Sequence, residues 1–444
     1  MKKIVLVILF IVTAEWLFGQ AVKVEVKWID NGYTLVRGGE PYYIRGAGGA
    51  NHPEELVYLG GNSIRTWGVD EADEALAVAE KYGFTVMFGL WVQHERHGFD
   101  YNNEAAVKKQ LENFTKVVEK YKDHPSILLW GIGNEVDLFY TNTKVWDAIQ
   151  DIAAMIHRVD PNHPTTTVTA GLDSNEVYEI MRRAPDIDIY GFNTYGDIER
   201  HSNNIQKFGW KGPYIISEWG PNGHWEVAKT TWGAPIEQTS TEKAASYNER
   251  YSKFIAAKKD FCIGSYVFLW GQKQETTSTW YGLFSPNGYP TEPLDKLYLA
   301  WEGKTPPNSA PTISKISLDG KQGIESIILK SGDRYTASLE ASDPDGDKIS
   351  VEWLVFPESS DTKAGGDFEA ALQPELGILK KRKDDSVEIV APDKEGAFRL
   401  FVFVTDKGKR TAYANIPFYV MPRTANDPPA KTVQFKKQEL VVPQ

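Results

Sequence analysis

The feature that most constrains this sequence is a regular alternation of apolar runs with amphipathic stretches between residues 42 and 301. Helical periodicity fills the intervals, as in Glu71–Tyr82, Glu104–Tyr121, Thr143–Val159 and Thr241–Lys258. The apolar runs that read as buried strands are Tyr42–Ala47, Asn62–Trp67, Phe84–Trp91, Ile127–Gly133, Thr165–Thr169, Ile187–Asn193, Tyr214–Ser217 and Ile263–Trp270. Eight β/α units in about 260 residues predict an α/β fold, the (β/α)8 TIM barrel.

The two flanks of this region differ from it in pattern. Residues 21–40 alternate polar and apolar side chains around Asp30-Asn31-Gly32, which predicts a β-hairpin ahead of the barrel, so that the catalytic unit spans 21–303. Residues 304–311 are rich in proline and read as a linker. Residues 312–424 contain about seven short alternating runs without helices, which predicts a C-terminal all-β, Ig-like sandwich. Residues 425–444 read as a polar tail.

The N-terminus has the pattern of an export signal. Residues 1–20 contain Lys2 and Lys3, then the apolar run Ile4–Val12, with a plausible cleavage site near Gly19 or Gln20. This pattern predicts a signal peptide and a secreted or periplasmic protein. The apolar run is too short for a stable membrane span. Cys262 is the only cysteine, so we expect no intramolecular disulfide, no lipid attachment after the signal, and a buried structural thiol.

Two glutamates stand where predicted barrel strands end. Glu135 follows the fourth run and Glu218 ends the seventh. The Asn-Glu pair that contains Glu135 occurs four times in the chain, but only this copy follows a strand-like run, so its position carries the argument. Because TIM barrels build their active sites at the C-terminal ends of the strands, we expect both carboxylates to face one cleft. A pair of carboxylates facing one cleft is the catalytic arrangement that most glycosidases use to cleave a glycosidic bond.

The motifs around these glutamates resemble those of clan A retaining glycoside hydrolases. The segments are Trp130-Gly-Ile-Gly-Asn134-Glu135 and Ile216-Ser-Glu218-Trp-Gly. The earlier segments Tyr43-Ile-Arg-Gly46 and Leu59-Gly-Gly-Asn-Ser-Ile-Arg65-Thr-Trp resemble the barrel of family 2 glycosidases, and the likeness covers roughly residues 35 to 303. The resemblance implies Glu135 as acid/base and Glu218 as nucleophile, about 5 Å apart, with retention of configuration.

Further positions match the clan one at a time. Arg65 matches an arginine beside the nucleophile, and Asn134 an asparagine that binds the sugar 2-hydroxyl. Tyr195 matches a tyrosine that hydrogen-bonds the nucleophile, and Trp270 a platform under the sugar at the cleavage point. An indole suits that role because a pyranose ring has an apolar face.

Three residues in loops after strand ends are candidate sugar contacts without a family counterpart. Trp91 and His94 follow the third run, and Trp225 lies in a long tryptophan-rich loop after Glu218 that could form a lid. His94 and His97 also have the spacing of a zinc site. We favour sugar binding because glycoside hydrolysis already has its carboxylates.

The resemblance leads to a specific expectation of function. We expect a secreted retaining β-glycoside hydrolase that cleaves β-glucan, with endo-β-1,3-glucanase the leading candidate because of a likeness to β-1,3-glucanosyltransferases and to family 158 endo-β-1,3-glucanases. Typical family 2 enzymes carry two β-domains ahead of the barrel. The absence of such domains from this sequence makes an exo-acting β-galactosidase or β-glucuronidase less favoured. The alternatives are a transglycosylase, an exo-acting family 2-type β-glycosidase or, last, a non-catalytic carbohydrate-binding protein.

The expected partner is a β-linked polysaccharide or oligosaccharide, with no cofactor or metal. The formal net charge of −11 argues against a nucleic-acid partner. In the C-terminal region, the segment Asp343-Pro-Asp345-Gly-Asp347 has the alternating acidic residues of a calcium loop but lacks the distal glutamate, so we predict a tight turn. The sequence leaves the oligomeric state open.

Overall fold

The computed structural model describes residues 20–424 and residue 427. The predicted signal peptide, apart from Gln20, and the predicted tail, apart from Asp427, lie outside the described residues. Within those residues, none of the helices is both long and apolar enough to cross a membrane.

A small antiparallel sheet precedes the barrel. Its strands are β1 Val24–Ile29, β2 Gly32–Arg37 and β3 Glu40–Tyr42. The predicted hairpin therefore gains a third strand, because the start of the first apolar run pairs back onto β2. Val24 and Leu35 are buried in one cluster with Ile44 and other residues from the barrel interior, so this sheet closes the N-terminal end of the barrel.

Eight parallel strands then form a closed barrel, which confirms the predicted fold. In chain order they are β4 Ile44–Gly48, β5 Ser63–Arg65, β6 Thr85–Leu90, β7 Ile127–Ile132, β8 Thr165–Ala170, β9 Ile189–Thr194, β10 Tyr214–Trp219 and β11 Cys262–Val267. We refer to β4 as barrel strand one and to β11 as barrel strand eight. Consecutive strands are neighbours throughout, and β11 pairs with β4 to complete the ring.

Helices follow the strands and cover the outside of the barrel. They are α1 Pro53–Tyr58, α2 Ala72–Tyr82, α3 Glu104–Tyr121, α4 Lys144–Val159, α5 Ser174–Arg183, α6 Ile198–Asn204, α7 Ser240–Arg250 and α8 Glu292–Glu302. The helix predicted over Thr241–Lys258 stays α-helical only to Arg250, where a wider π-helical turn, Tyr251–Ile255, replaces it. Cys262 is buried and its thiol donates to the Gly264 carbonyl.

The C-terminal region is a sandwich of two four-stranded sheets, as predicted from its alternating runs. Its strands are β12 Thr312–Leu318, β13 Ile327–Lys330, β14 Arg334–Ser342, β15 Ser350–Pro357, β16 Leu379–Lys380, β17 Ser386–Val390, β18 Gly396–Thr405 and β19 Thr411–Met421. The sheet orders are β12-β14-β17-β16 and β13-β19-β18-β15. The extra strand relative to the predicted seven is the two-residue edge strand β16.

A buried polar network joins the sandwich to the barrel. The Lys243 ammonium lies 2.6 Å from a Glu237 carboxylate oxygen, and both side chains are almost fully buried. Asn415 of β19 donates to the same carboxylate, and Lys243 donates to the Tyr413 hydroxyl. A buried ion pair is tolerated only when its remaining hydrogen-bonding groups are satisfied. These contacts hold the sandwich in one position against the barrel.

The acidic segment after β14 forms the predicted turn. The Asp343 carboxylate accepts the backbone N–H groups of Asp345 and Asp347, each at 2.9 Å. Asp343 Oδ1 therefore accepts hydrogen bonds from within its own loop, as in other Asx turns. Across the residues that the structure describes, no cluster of three or more His, Cys, Asp or Glu side chains is arranged to hold a metal ion.

Candidate active site

A cavity of about 730 Å³ opens at the C-terminal ends of the barrel strands, which is where TIM barrels place their active sites. Both glutamates identified from the sequence line it: Glu135 beyond the end of β7, and Glu218 within β10. The lining also includes Trp67, Trp91, Asn134, Asn193, Tyr195, Trp225, Phe268, Leu269 and Glu275. The volume lies in the range of roughly 300–1,000 Å³ that small-molecule sites occupy.

Glu218 reaches the cavity through an irregularity in β10. The pairing with β9 runs Ile216 with Phe192 and then Glu218 with Asn193, so that Ser217 is an extra residue. Such a bulge changes the direction of the side chains beside it. Ser217 Oγ donates to Asn193 Oδ1 at 2.9 Å, while the carboxylate of Glu218 faces the cavity.

Three side-chain donors hold the Glu218 carboxylate. Arg65 Nη1 and Trp67 Nε1 donate to Oε1 at 2.9 and 2.8 Å, and the Tyr195 hydroxyl donates to Oε2 at 3.0 Å. Glu218 is 5% exposed and Arg65 is 1% exposed. The guanidinium compensates the buried negative charge, and the three bonds together fix the orientation of the carboxylate. The structure thus places Arg65 and Tyr195 beside the nucleophile candidate.

Asn193 connects the two glutamates. Its Nδ2 donates to Glu135 Oε1 at 2.8 Å and to Asn134 Oδ1 at 3.1 Å. Asn134 Oδ1 also accepts from Arg65 Nη2 at 2.6 Å. Because Arg65 bonds to Glu218 as well, a continuous hydrogen-bonded chain runs from one carboxylate to the other. A network of this kind rigidifies a site when its members are satisfied.

The backbone around Glu135 is held in an uncommon conformation. Glu135 has φ of +50° and Gly133 has φ of +76°. The Glu135 N–H is bonded to the Val168 carbonyl of β8 at 2.8 Å, which ties this turn to the next strand. A Cβ at Gly133 would meet Val136 Cγ1 at 3.1 Å, so glycine is required there by both space and conformation. Non-glycine residues with such backbone angles are concentrated at functional sites.

The environment of Glu135 favours its protonated form. Burial and the adjacent charge of Glu218 raise the pKa of Glu135 to about 8, although the hydrogen bond from Asn193 opposes the rise. A carboxyl group that stays protonated near neutral pH can act as a general acid. The two glutamates are thus in different environments, and such a difference assigns different roles to paired carboxylates.

The loop after β6 places one of its two candidate sugar-contact residues at the cavity. Trp91 lines the cavity. His94, in contrast, is 1% exposed and does not line it, so the expectation of a direct sugar contact from His94 is wrong. Its ring is stacked between Trp91 and His97, with centroids 4.8 and 5.2 Å away. His94 is therefore a support for Trp91. The His97 ring also contacts Asp367 at 3.1 Å. Both histidine rings thus contact neighbouring side chains.

Trp225 extends over the open side of the cavity. It lines the cavity, is 56% exposed, and meets the Tyr195 ring edge-on at 5.7 Å. The loop that carries it is anchored by Glu226, whose Oε2 accepts the backbone N–H groups of Gly196 and Gly223, both at 2.7 Å. An exposed indole on an anchored loop is well placed to stack on a sugar ring.

The sequence assignment of Trp270 as the sugar platform is wrong. Trp270 is 0% exposed, does not line the cavity, and packs edge-on against Phe284 at 5.4 Å. The last barrel strand ends at Val267, three residues earlier, so strand alternation no longer directs the side chain of Trp270. Phe268 and Leu269 line the cavity at this position instead.

Two residues that hydrogen-bond to the glutamates were not identified from the sequence. Trp67 donates to Glu218, and Asn193 joins the network between the glutamates. Both end a predicted strand, Asn62–Trp67 and Ile187–Asn193, and a search for every side chain with an N–H group at a strand end would have found them.

Comparison with known proteins agrees with this geometry. Residues 56–249 match the model of the glycosyl hydrolases family 2 TIM barrel domain. The barrel is therefore similar to the TIM barrel domain of family 2 glycosyl hydrolases. Its sequence is 28% identical over 145 residues to a β-glucuronidase of Canis lupus familiaris, covering 32% of this chain and 20% of that enzyme. A β-glucuronidase of Paenibacillus borealis is 21% identical over 229 residues, covering 48% of this chain and 37% of that enzyme.

The solved structures show the same fold for the family 2-like barrel. The β-glucuronidase of Ruminococcus gnavus superposes with a TM-score of 0.51 at 17% identity, over 64% of this chain and 53% of that chain. This chain therefore spans well under two thirds of the relatives that it matches.

Proposed function

We propose that this protein is a retaining β-glycosidase that works by double displacement, with Glu218 as nucleophile and Glu135 as acid/base. The observation that carries the proposal is the contrast between the two carboxylates in one cavity. Glu218 is bonded to Arg65, whereas burial and the charge of Glu218 raise the pKa of Glu135 to about 8. Glu218 can therefore act as the nucleophile, and Glu135 can donate a proton.

The reaction follows from these positions. The Glu218 carboxylate attacks the anomeric carbon while Glu135 gives its proton to the glycosidic oxygen, so the C–O bond breaks and a glycosyl ester forms on Glu218. Glu135, now a carboxylate, takes a proton from water, and that water displaces Glu218 from the sugar with a second inversion. Asn134 lines the cavity beside the pair, and we assign it to the sugar 2-hydroxyl.

An exo-acting, family 2-type β-glycosidase is better supported than the endo-β-1,3-glucanase expected from the sequence. The matched family and the named relatives support it, and the cavity has the size of a small-molecule site. Six carboxylates line the cavity against three lysine and arginine side chains, which favours a neutral sugar over a uronic acid. The substrate we propose is therefore the non-reducing end of a neutral β-linked oligosaccharide.

The endo-acting glucanase remains the second candidate because of the aromatic rim. Phe139 and Trp225 both line the cavity and are 70% and 56% exposed. Exposed aromatic rings beside a cleft can stack on further sugar units of a bound polymer. A transglycosylase would use the same residues, with a sugar hydroxyl in place of water in the second step.

We also propose that the protein is exported to the periplasm or the medium. The support is the pattern of two lysines followed by the apolar run Ile4–Val12. N-terminal sequencing of the protein purified from its own cells would show cleavage near residue 20, and an intact Met1 would contradict the proposal.

A substrate screen tests the proposed activity. We expect aryl β-glucoside or β-galactoside to be cleaved with retention and short β-oligosaccharides to release one sugar at a time. Aryl β-glucuronide serves as the uronic acid comparison, and β-1,3-, β-1,4- and mixed-linkage glucans with sized products serve as the polymer comparison. Internal fragments from a β-1,3-glucan would favour the endo-glucanase, and products longer than the substrate would favour the transglycosylase. Glucuronide as the best substrate would refute the neutral-sugar assignment.

The pH dependence follows from the raised pKa of Glu135. Glu135 must be protonated to serve as the acid, and its protonated form predominates below its pKa of about 8. We therefore expect kcat/KM for an alkyl β-glycoside to be level around neutral pH and to fall about tenfold per pH unit above that value. An alkaline limb near the ordinary carboxyl pKa of about 4.3 would contradict this assignment.

A further inference from the structure

A loop of the C-terminal sandwich forms part of the cavity wall. We call residues 361–369, which lie between β15 and β16, the strap. Its residues Lys363, Ala364, Gly365 and Gly366 line the same cavity as the two glutamates. The candidate active site is therefore built from both parts of the chain.

One side of the strap is anchored to the loop after barrel strand three. Arg96 Nη1 and Nη2 donate to Asp367 Oδ2 and Oδ1 at 2.6 and 3.1 Å, and His97 contacts the same carboxylate at 3.1 Å. A two-pronged arginine–carboxylate pair fixes the geometry as well as adding energy. The Arg96 side chain is 10% exposed, so this pair is screened by salt less than a surface pair.

The other side is anchored to the loop after barrel strand eight. Lys273 Nζ donates to the Gly366 carbonyl at 2.5 Å, and the Thr276 N–H donates to Glu369 at 2.7 Å. Glu369 is 3% exposed and also accepts the Lys363 N–H at 2.9 Å, which closes the strap on itself. The strap is therefore tied to the barrel at two separate loops.

The tip of the strap packs against the segment that carries Glu135. Gly365 and Gly366 have φ of +63° and +68°, a conformation that glycine adopts readily. A Cβ at Gly365 would lie 2.7 Å from Leu138 Cδ2, three residues beyond Glu135. A larger residue at Gly365 would therefore be strained, and either the tip or the contacting ends of Leu138 and Arg96 would have to shift.

The two anchors define which side of the cleft is walled. The strap bridges the loops after barrel strands three and eight, and its tip also lies against Leu138 in the loop after strand four. The lining on the opposite side comes from the loops after strands five, six and seven, where Asp173, Arg200 and Trp225 are exposed. The strap therefore walls the cleft where it joins the loops after strands three, four and eight, and the exposed lining lies on the side of strands five, six and seven.

We propose that the strap is a specificity-determining wall: it stops a bound glycan from extending past the loops after strands three and eight and so restricts the enzyme to chain ends. The proposal rests on the glycosidase function proposed above and gives a physical basis for exo-action. Because the anchors are side chains of the barrel and the strap belongs to the sandwich, the position of the sandwich controls how much of the cleft a polymer can use. Asp367 has a positioning role, since it lies outside the cavity lining.

The test compares polymer and aryl glycoside of the same sugar in the full-length protein. Asp367→Ala removes the anchor to Arg96. Gly365→Leu keeps Asp367 and instead alters the tip, where an added Cβ would meet both Leu138 Cδ2 and Arg96 Nη2. In both variants we expect the ratio of kcat/KM for the polymer to kcat/KM for the aryl glycoside to rise at least tenfold, with internal cleavage products appearing. Asp367→Glu is expected to restore most of the wild-type ratio.

The matched control is Asp73→Ala, which removes an exposed aspartate paired with Lys120 on the outer helices. It should leave the ratio unchanged. Thermal unfolding identifies any variant that is not folded, and the two variants change different residues of the strap. Folded variants with a ratio within twofold of wild type would overturn the strap proposal alone. A wild-type protein inactive on every β-glycoside would overturn the proposed function and, with it, this role of the strap.

Discussion

Glu218→Ala is expected to lower kcat on an aryl β-glycoside by a factor on the order of 10⁵, as losses of a nucleophile do in other enzymes. The side chain removed is the one that Arg65, Trp67 and Tyr195 orient in the wild-type site. Without it, no glycosyl ester can form. The measurement is steady-state release of the aryl group, with circular dichroism to show that the variant is folded.

Azide distinguishes a lost nucleophile from a damaged site. The space left by Glu218→Ala should admit azide, which attacks the anomeric carbon and yields the glycosyl azide of α configuration. Glu176→Ala is a suitable control because Glu176 lies on α5 and does not line the cavity; we expect near wild-type activity and no effect of azide. A folded Glu218→Ala protein that azide cannot rescue would argue against a covalent intermediate on this residue.

Glu135→Ala is expected to lower activity by an amount that depends on the leaving group. Alkyl glycosides and oligosaccharides need a proton on the departing oxygen, so we expect a loss of about 10⁴-fold, at the upper end for general acid catalysis. The leaving group of a dinitrophenyl glycoside needs little protonation, so formation of the glycosyl ester should be nearly unaffected. The slow hydrolysis of that ester should then limit turnover. Comparing kcat/KM across a series of leaving groups measures this directly.

The same variant should lose the alkaline limb of the pH profile. In the wild-type protein that limb reports the ionisation of Glu135, whose pKa burial and the charge of Glu218 raise to about 8. Azide should rescue this variant with retention, giving the β-glycosyl azide, because Glu218 still forms the ester. A uniform loss across all leaving groups, with the alkaline limb intact, would contradict the acid/base role.

The errors in the sequence analysis concern where a side chain points. Trp270 lies in the last predicted apolar run, but the strand ends at Val267 and the indole is buried against Phe284. His94 follows a strand as a sugar-binding residue would, yet it stacks behind Trp91. Spacing along the chain places a residue near the mouth of a barrel. The direction of its side chain depends on the path of a loop, which apolar periodicity does not describe.

What the sequence determined by itself is the barrel and its reactive pair. Eight apolar runs at β/α spacing predict a closed parallel barrel, because buried parallel strands show near-continuous apolar runs and eight β/α units are the number that closes a TIM barrel. Glutamates that end the fourth and seventh of those runs must then lie at the same mouth. These features are local in the chain, so they can be read from it.

The tertiary structure alone decided how the pair is held and what surrounds it. The bulge at Ser217 aims Glu218, and Asn193 bonds to Glu135 from a strand nearly sixty residues away. The strap reaches the cavity from the sandwich, more than two hundred residues beyond Glu135. Such contacts depend on how distant segments dock, and no periodicity within any one segment encodes them. The sequence therefore indicates which residues we expect to react, and the packed structure shows which side chains surround them.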